Sequence, residues 1–373
     1  PIFYIFVVLV ALHSLGLIIV QFSNFYYYFD ENNVYHRSPG YAVSNTMHVL
    51  MLIQNIYLLI KYKNKFHKKL ASSLWLYLLS PLAAIVAQLF FQEIQFIIFA
   101  TVISAAYLYY VIIRIQYERY ENQQKEKERL DTELTMATRI QAETLPNIFP
   151  AFPERDDFNI YASMNPAKEV GGDFYDFFLI DDDHLGLVMA DVSGKGVPAA
   201  LFMMMAKILL SNYAMMGGTP HEVLERLNGT FCKNNDDSMF VTVWFGIYTI
   251  STGKVIAANA GHEYPIIKHG ENGFEIMKDR HGFVIGGMCG LKYRDYEFEL
   301  ASGDTLFLYT DGVPEATDAD GKMFGTERLL ETLSAAANGT AKELLEAVST
   351  DVEAFVGTAP QFDDLTMLAI KRT

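Results

Sequence analysis

The sequence predicts a chain in three parts: an all-α membrane-spanning bundle, a helical stalk and an α+β domain. Three observations lead there. Four long apolar stretches are confined to the first 113 residues, and a charged run without Gly or internal Pro covers 114–145. From about residue 157 onward, short alternating or apolar runs are separated by Gly, Asn and Asp, which are strand signals, mixed with a few amphipathic helices. The expected boundaries are 1–113, 114–146 and 147–373.

Composition supports the division. Of 373 residues, 51% are hydrophobic, and residues 1–120 hold eight Lys/Arg against four Asp/Glu while the formal net charge of the whole is −15. The acidity therefore belongs to the C-terminal part, which argues against a nucleic-acid partner, because phosphate backbones are held by Lys and Arg. The two cysteines, Cys232 and Cys289, show no CxxC or Cys/His spacing, so neither a disulfide nor a zinc site is expected and a reducing cytosol fits. The first residue is Pro rather than Met, so the sequence is expected to begin inside a longer chain.

The expected spans are about 2–22, 42–60, 71–91 and 94–113, none with an Arg or Lys. "KYKNKFHKK" lies between the second and third, and Arg114 and Arg119 follow the fourth, so the positive-inside rule puts both on the cytoplasmic side. "SNFYYYFDENNVYHRSPGY" then lies outside, its tyrosines at the interface. Three spans with one buried soluble helix is the alternative. Pro81 is expected to kink the third.

The stalk ends "NQQKEKERLDTELTMATRIQAETLP". Leu130, Leu134 and Ala137 follow a 4–3 spacing and Glu121 faces Lys125 at i,i+4, the pattern of a short coiled-coil homodimer or of a solvated spacer. The repeat then slips, because Gln141 occupies the next apolar position. Pro146 and Pro150 end the helix.

In the α+β part, "HLGLVMAD" ends at Asp191, "DTLFLYTD" ends at Asp311 and "DDLTMLAIK" begins at Asp363 and Asp364. If the last strand runs antiparallel to the first two, its start lies beside their ends and these carboxylates share one rim. Asp173, after the Gly171–Gly172 turn in "EVGGDFYDFF", joins the same edge because the glycines allow close backbone approach. Like-charged neighbours disfavour one another's ionisation, and divalent cations relieve that repulsion. An all-oxygen donor set favours two hard ions, Mn²⁺ or Mg²⁺, over zinc. Each aspartate alone is an ordinary turn residue, and Asp181–Asp183 are expected to be only that. "DVSGKG", Pro198 and "AALFMMMAKILLSNYA" form a strand–loop–helix unit whose methionines pack the core. His262 in "NAGH" is either a general acid, given its near-neutral intrinsic pKa, or a structural turn residue.

"NPAKEVGGDFYD", "MADVSGKGVPAALFM", "NAGHEYP", "LYTDGVPEA" and "DDLTMLAI" occur in the order of the SpoIIE/RsbU-like bacterial branch of the metal-dependent (protein phosphatase 2C-like) phosphatases, which residues 135–373 resemble. The resemblance implies an αββα sandwich that hydrolyses phosphoserine or phosphothreonine on a protein, by direct attack of a water activated by two metals. It implies that Asp191 bridges the ions and holds that water, that Asp173 and the Val192 carbonyl serve one ion, and that Asp311 and Asp364 serve the other. Asp363 is expected to support Asp364. Many eukaryotic relatives carry a histidine where Ser193 stands, so the leaving-group acid is open, and Lys168 and Lys195 are the available phosphate clamps. The resemblance also implies a phosphorylated anti-sigma-factor antagonist as substrate, with the spans as a membrane sensor. A GGDEF-type cyclase would carry Glu where Phe174 stands, and a histidine kinase lacks its Gly-rich ATP lid here. A non-catalytic receptor whose sandwich docks a partner remains the alternative.

Overall fold

The computed structural model describes residues 11, 14–16, 18–20, 22–40, 46–88, 90–91, 96–233, 235, 238–270 and 272–373. These fall into two compact units, residues 1–128 and 129–373, so the second takes in part of the expected stalk.

In the first unit, β1 (Tyr27–Phe29) pairs antiparallel with β2 (Tyr35–Arg37), Tyr28 opposite His36. The segment expected as an outer loop is thus a hairpin. Its turn is organised by Asp30, whose carboxylate accepts the Asn32 and Val34 amides and pairs with His36 Nε2 at 2.9 Å. Three helices follow: α1 (Thr46–Lys61), α2 (Lys68–Gln88) and α3 (Phe96–Thr144). Lys68–Ala87 and Phe96–Thr144 are long and apolar enough to cross a membrane, by length and composition. They correspond to the third and fourth expected spans. The second appears as α1, which is shorter than a span, and most of the first lies outside the described residues. Small residues Ser73, Ala84 and Ser104 are buried while Ile53, Ile60, Phe99, Val102 and Ile103 are exposed. That is the distribution of helices that pack through small side chains and turn large apolar ones outward.

The second unit is a four-layer sandwich. One sheet has the order β10–β7–β6–β5–β4 and the other β3–β12–β11–β8–β9. The strands of the first are β4 (Phe174–Leu179), β5 (His184–Val192), β6 (Val241–Thr249), β7 (Lys254–Ala260) and β10 (Tyr296–Glu299). Those of the second are β3 (Phe158–Asn165), β8 (Ile266–Lys268), β9 (Phe274–Ile276), β11 (Thr305–Tyr309) and β12 (Leu365–Arg372). Helices α4 (Val197–Met215) and α5 (Pro220–Phe231) cover the first sheet, and α6 (Thr326–Ala335) and α7 (Ala341–Val356) cover the second.

Strands buried on both faces read as continuous apolar runs, and their period of two divides them between two cores. Leu306, Leu308, Leu368 and Ile370 face the space between the sheets, where they join Leu185, Leu187 and Trp244. Phe307, Tyr309, Met367 and Ala369 alternate with them and pack under α6 and α7 with Leu329, Leu344 and Val348. Helix α4 is also long and apolar enough to span a bilayer, but Ala199, Met203, Ala206 and Leu210 are buried in the sandwich core.

Two expectations are corrected. β12 is antiparallel to β11, whereas β5 lies in the facing sheet, so the carboxylate rim is assembled across the sandwich and not along one sheet. Cys232 and Cys289 form a disulfide, with Cα atoms 5.4 Å apart. Fifty-seven residues separate them in sequence. They meet because Asn228 of α5 bonds both the Met288 carbonyl and the Gly286 amide, a contact that spacing alone does not reveal.

Candidate metal centre

Four chain segments meet at one end of the two sheets. Asp191 stands near the end of β5, opposite Thr242 of β6, and Asp311 follows β11 by two residues. Both are partly exposed, whereas Asp173, before β4, and Asp364, before β12, are buried. Two glycines make the approach possible. A Cβ on Gly171 would lie 2.3 Å from Asp364 Oδ2, and one on Gly312 would lie 2.0 Å from the Asp364 carbonyl oxygen. The Val192 carbonyl faces the same loop, since a Cβ on Gly172 would meet its oxygen at 2.9 Å.

Hydrogen bonds set the two buried carboxylates. Asp364 Oδ1 accepts the Ala167 amide at 2.8 Å, and Oδ2 accepts those of Gly172 at 2.8 Å and Asp173 at 3.4 Å. Asp173 Oδ2 accepts the Thr310 hydroxyl at 2.6 Å. Asp363 Oδ1 caps the Asp364 amide while its Oδ2 pairs with Lys195 Nζ at 2.8 Å. Lys195 also donates to the Phe362 carbonyl and lies over the Phe362 ring, so its charge is engaged in joining two rim loops. Lys168 is exposed. Ser193 exchanges backbone and side-chain bonds with Phe240, its amide donating to the Phe240 carbonyl and its hydroxyl accepting the Phe240 amide.

The electrostatics are those of crowded anions. Burial first, then the charges of Asp191 and Asp364, push the Asp173 carboxyl well above its ordinary value. Asp191 is lifted to about 7 by burial and then by the Asp311 charge. Asp311 is lifted to about 6 by burial and then by Asp363, with Glu315 and Glu263 adding to it. A positive counter-charge at this rim would relieve all three.

The donor set fits hard divalent cations: carboxylates and one backbone carbonyl, with Asp191 central. Among the described residues, however, no three acidic, His or Cys side chains stand together as a ready-made cage. The Asp364 oxygens are turned to the amides of Ala167, Gly172 and Asp173.

His262 is buried, its amide held by Asn259 Oδ1 at 2.8 Å. Its Nε2 faces the Tyr309 carbonyl at 3.1 Å, an acceptor only, so Nε2 carries the proton and Nδ1 accepts the Thr242 hydroxyl at 2.8 Å. Burial lowers its pKa to about 3, so the ring is neutral. The bonds tie β6, beside Asp191, to β11, just before Asp311.

Sequence reasoning missed Thr310 and Gln141. Thr310 sits between a strand and Asp311, where its hydroxyl was indistinguishable from a turn residue. Gln141 had left a signal as the polar residue that breaks the stalk's apolar repeat. Its Nε2 donates to the Gly171 carbonyl at 2.7 Å and its Oε1 accepts the Gly171 amide at 3.0 Å.

Two stacked five-stranded sheets with paired covering helices and an aspartate rim define a PP2C-type α+β fold. The SiaA-PP2C domain of Pseudomonas aeruginosa superposes with TM-score 0.60 at 23% identity, over 66% of this chain and 99% of that one. The RsbU and RsbW domains of a Mycobacterium tuberculosis protein match with TM-score 0.50 at 27% identity, over 58% of this chain and 60% of that one. Residues 181–373 match the family described as Stage II sporulation protein E (SpoIIE), and the chain belongs to that family. Among curated relatives, Protein IcfG of Synechocystis is 33% identical over 64% of this chain and 41% of its own length. Phosphoserine phosphatase RsbU of Bacillus subtilis is 29% identical over 55% of this chain and 60% of its own. The chain thus spans about half the length of these relatives.

Proposed function

We propose that the chain is a membrane-anchored, metal-dependent protein phosphatase acting on phosphoserine or phosphothreonine of a regulatory protein. The observation that carries this reading is the convergence of Asp173, Asp191, Asp311 and Asp364 from four segments onto one acidic rim. Family membership supports it, as do two relatives named phosphoserine phosphatases, RsbU and RsbP. Asp191 would lie between two Mn²⁺ or Mg²⁺ ions, Asp173 and the Val192 carbonyl would hold one, and Asp311 and Asp364 the other. Bound there, such ions supply positive charge for the phosphoryl oxygens and lower the pKa of water so that it can attack phosphorus.

The chain's own residues do the rest. Asp191 and Asp311, the partly exposed members of the set, would present their carboxylates to the ions and to the incoming phosphoryl group. Thr310 orients Asp173 by donating its hydroxyl to Oδ2, and the Asp173 carboxyl also bonds that of Asp191, so the two acids stand together at the rim. Lys195, neutralised by Asp363, acts as a loop tie and not as a phosphate clamp. His262, its one proton given to Tyr309, keeps the strands of Asp191 and Asp311 in register and transfers no proton.

The substrate we infer is a phosphorylated anti-sigma-factor antagonist. Helices α2 and α3 are read as membrane spans contacting lipid, with the lysines around residues 61–69 and Arg114 and Arg119 on the cytoplasmic side, where the phosphatase domain would lie. The charged half of α3 would pair two copies as a homodimer. A second reading, a receptor that docks a partner without turnover, draws on Asp364 being spent on three backbone amides.

The discriminating test is Mn²⁺-dependent phosphate release from phosphoserine peptides by the detergent-solubilised chain. Asp191→Asn and Asp311→Asn should each abolish it. Turnover as fast as the parent's in both variants would sink the catalytic reading.

A further inference from the structure

We propose that Gln141 is a positioning residue for the metal loop, so that metal loading of the rim and docking of the helix segment carrying Gln141 are coupled. The inference rests on the metal reading above and adds a control element outside the rim.

The Gly171 peptide is held at both ends by one side chain, its amide by Gln141 Oε1 and its carbonyl by Gln141 Nε2. Gln141 is 4% exposed and Gly171 is buried, so neither has water to replace the other. One turn earlier on the same helix face, Thr138 donates to the Glu169 carbonyl. The loop 169–173 is therefore clamped from two sides: Gln141 and Thr138 hold one, and the Asp364 carboxylate holds the Gly172 and Asp173 amides from the other. It has little stiffness of its own, because two consecutive glycines precede Asp173. Gly171 cannot be exchanged for a stiffer residue, since its Cβ would collide with Asp364 Oδ2. The position of Asp173 thus depends on a side chain thirty residues upstream of Gly171.

The helix seat is incompletely filled. A crevice of about 200 Å³ lies between helix and domain, lined by Thr138, Gln141, Leu145, Met164 and Tyr175. Leu145 beside it is buried in the core, so apolar packing and the polar clamp together seat the end of the helix. A ligand that requires an ordered Asp173 must then favour the docked helix, and the docked helix must favour that ligand by the same factor.

The test is Mn²⁺ titration calorimetry on the full chain in detergent, with parent, Gln141→Leu, Arg139→Ala and Asp191→Asn. Gln141→Leu should bind Mn²⁺ about ten- to a hundredfold more weakly, the range for groups that orient metal ligands. Its turnover should recover at saturating Mn²⁺, while its melting temperature in EDTA should fall, because the buried Gly171 amide and carbonyl lose their partner. Arg139→Ala, exposed on the same helix, should bind like the parent. Binding by Gln141→Leu within twofold of the parent, while Asp191→Asn loses it, overturns the coupling alone. Parent-like binding by Asp191→Asn overturns the metal reading beneath it. Should Gln141→Leu not fold, hydrogen exchange on the parent decides: saturating Mn²⁺ should slow exchange at the Gly171 amide and across 138–144, and unchanged exchange there overturns the proposal.

Discussion

Replacing Asp191 by Asn should stabilise the metal-free protein at alkaline pH while destroying its chemistry. Burial and the Asp311 charge lift the Asp191 carboxyl from its ordinary 3.8 to about 7. Between those values the folded state holds a proton that the unfolded chain has released, so stability falls as pH rises through the window. The cost is absent below pH 4 and fully present above pH 7. A rise of that size corresponds to about 4 kcal/mol at pH 8. Asn removes the charge at nearly the same volume, so most of that cost should return, raising the melting temperature by about 5–10 °C for a unit of this size. The assay is thermal unfolding in EDTA at pH 5 and pH 8, followed by tryptophan fluorescence, Trp244 being fully buried. Staying above pH 5 avoids the groups whose pKa the fold lowers, such as Asp351 beside Arg328. The parent should be less stable at pH 8 than at pH 5, the variant should keep a shallower fall because burial also raises Asp173 and Asp311, and saturating Mn²⁺ should invert their order at pH 8 by binding only the folded parent. A flat parent profile, or a variant less stable than the parent at pH 8, would refute the crowded-anion account of this rim.

Three further outcomes follow from contacts elsewhere in the domain. Gly312→Ala should abolish Mn²⁺-dependent turnover and cost about 1–3 kcal/mol in urea unfolding, because the added methyl meets the Asp364 carbonyl oxygen at 2.0 Å. Lys207→Met strands Asp176, which Lys207 Nζ contacts at 2.9 Å, and should cost about 3–5 kcal/mol at pH 8. That cost should shrink by pH 5, since burial already raises Asp176 and lets it take a proton. Cys232→Ser opens a loop of 57 residues and should lower the stability of the oxidised protein by about 4 kcal/mol on the chain-entropy account, while leaving a fully reduced sample unchanged.

Much of the fold was legible because its signals are local. Alternating apolar positions marked β5, β11 and β12, and each acid sat at a strand end where the pattern stopped. Asp173 was readable for a similar reason, since paired glycines before an acid announce a close backbone approach. The third and fourth expected spans follow from length and composition alone, which is why they recur as α2 and the start of α3. Other features depend on contacts between distant segments. Whether β5 and β12 share a sheet is a matter of pairing across more than 170 residues, and the antiparallel argument for a shared rim did not reveal that they lie in facing sheets. The disulfide escaped for the same reason: spacing records separation along the chain, while bonding requires Cα atoms within several ångströms.

By itself, the sequence determined which side chains are acidic, where each strand stops, and that a charged helix precedes the domain, because these are properties of neighbouring residues. Only the tertiary structure decided that the rim is built from two facing sheets, that Asp364 turns to the backbone amides, and that Gln141 grips the loop leading to Asp173. Those arrangements arise from packing and hydrogen bonds between segments whose mutual distance no linear pattern encodes.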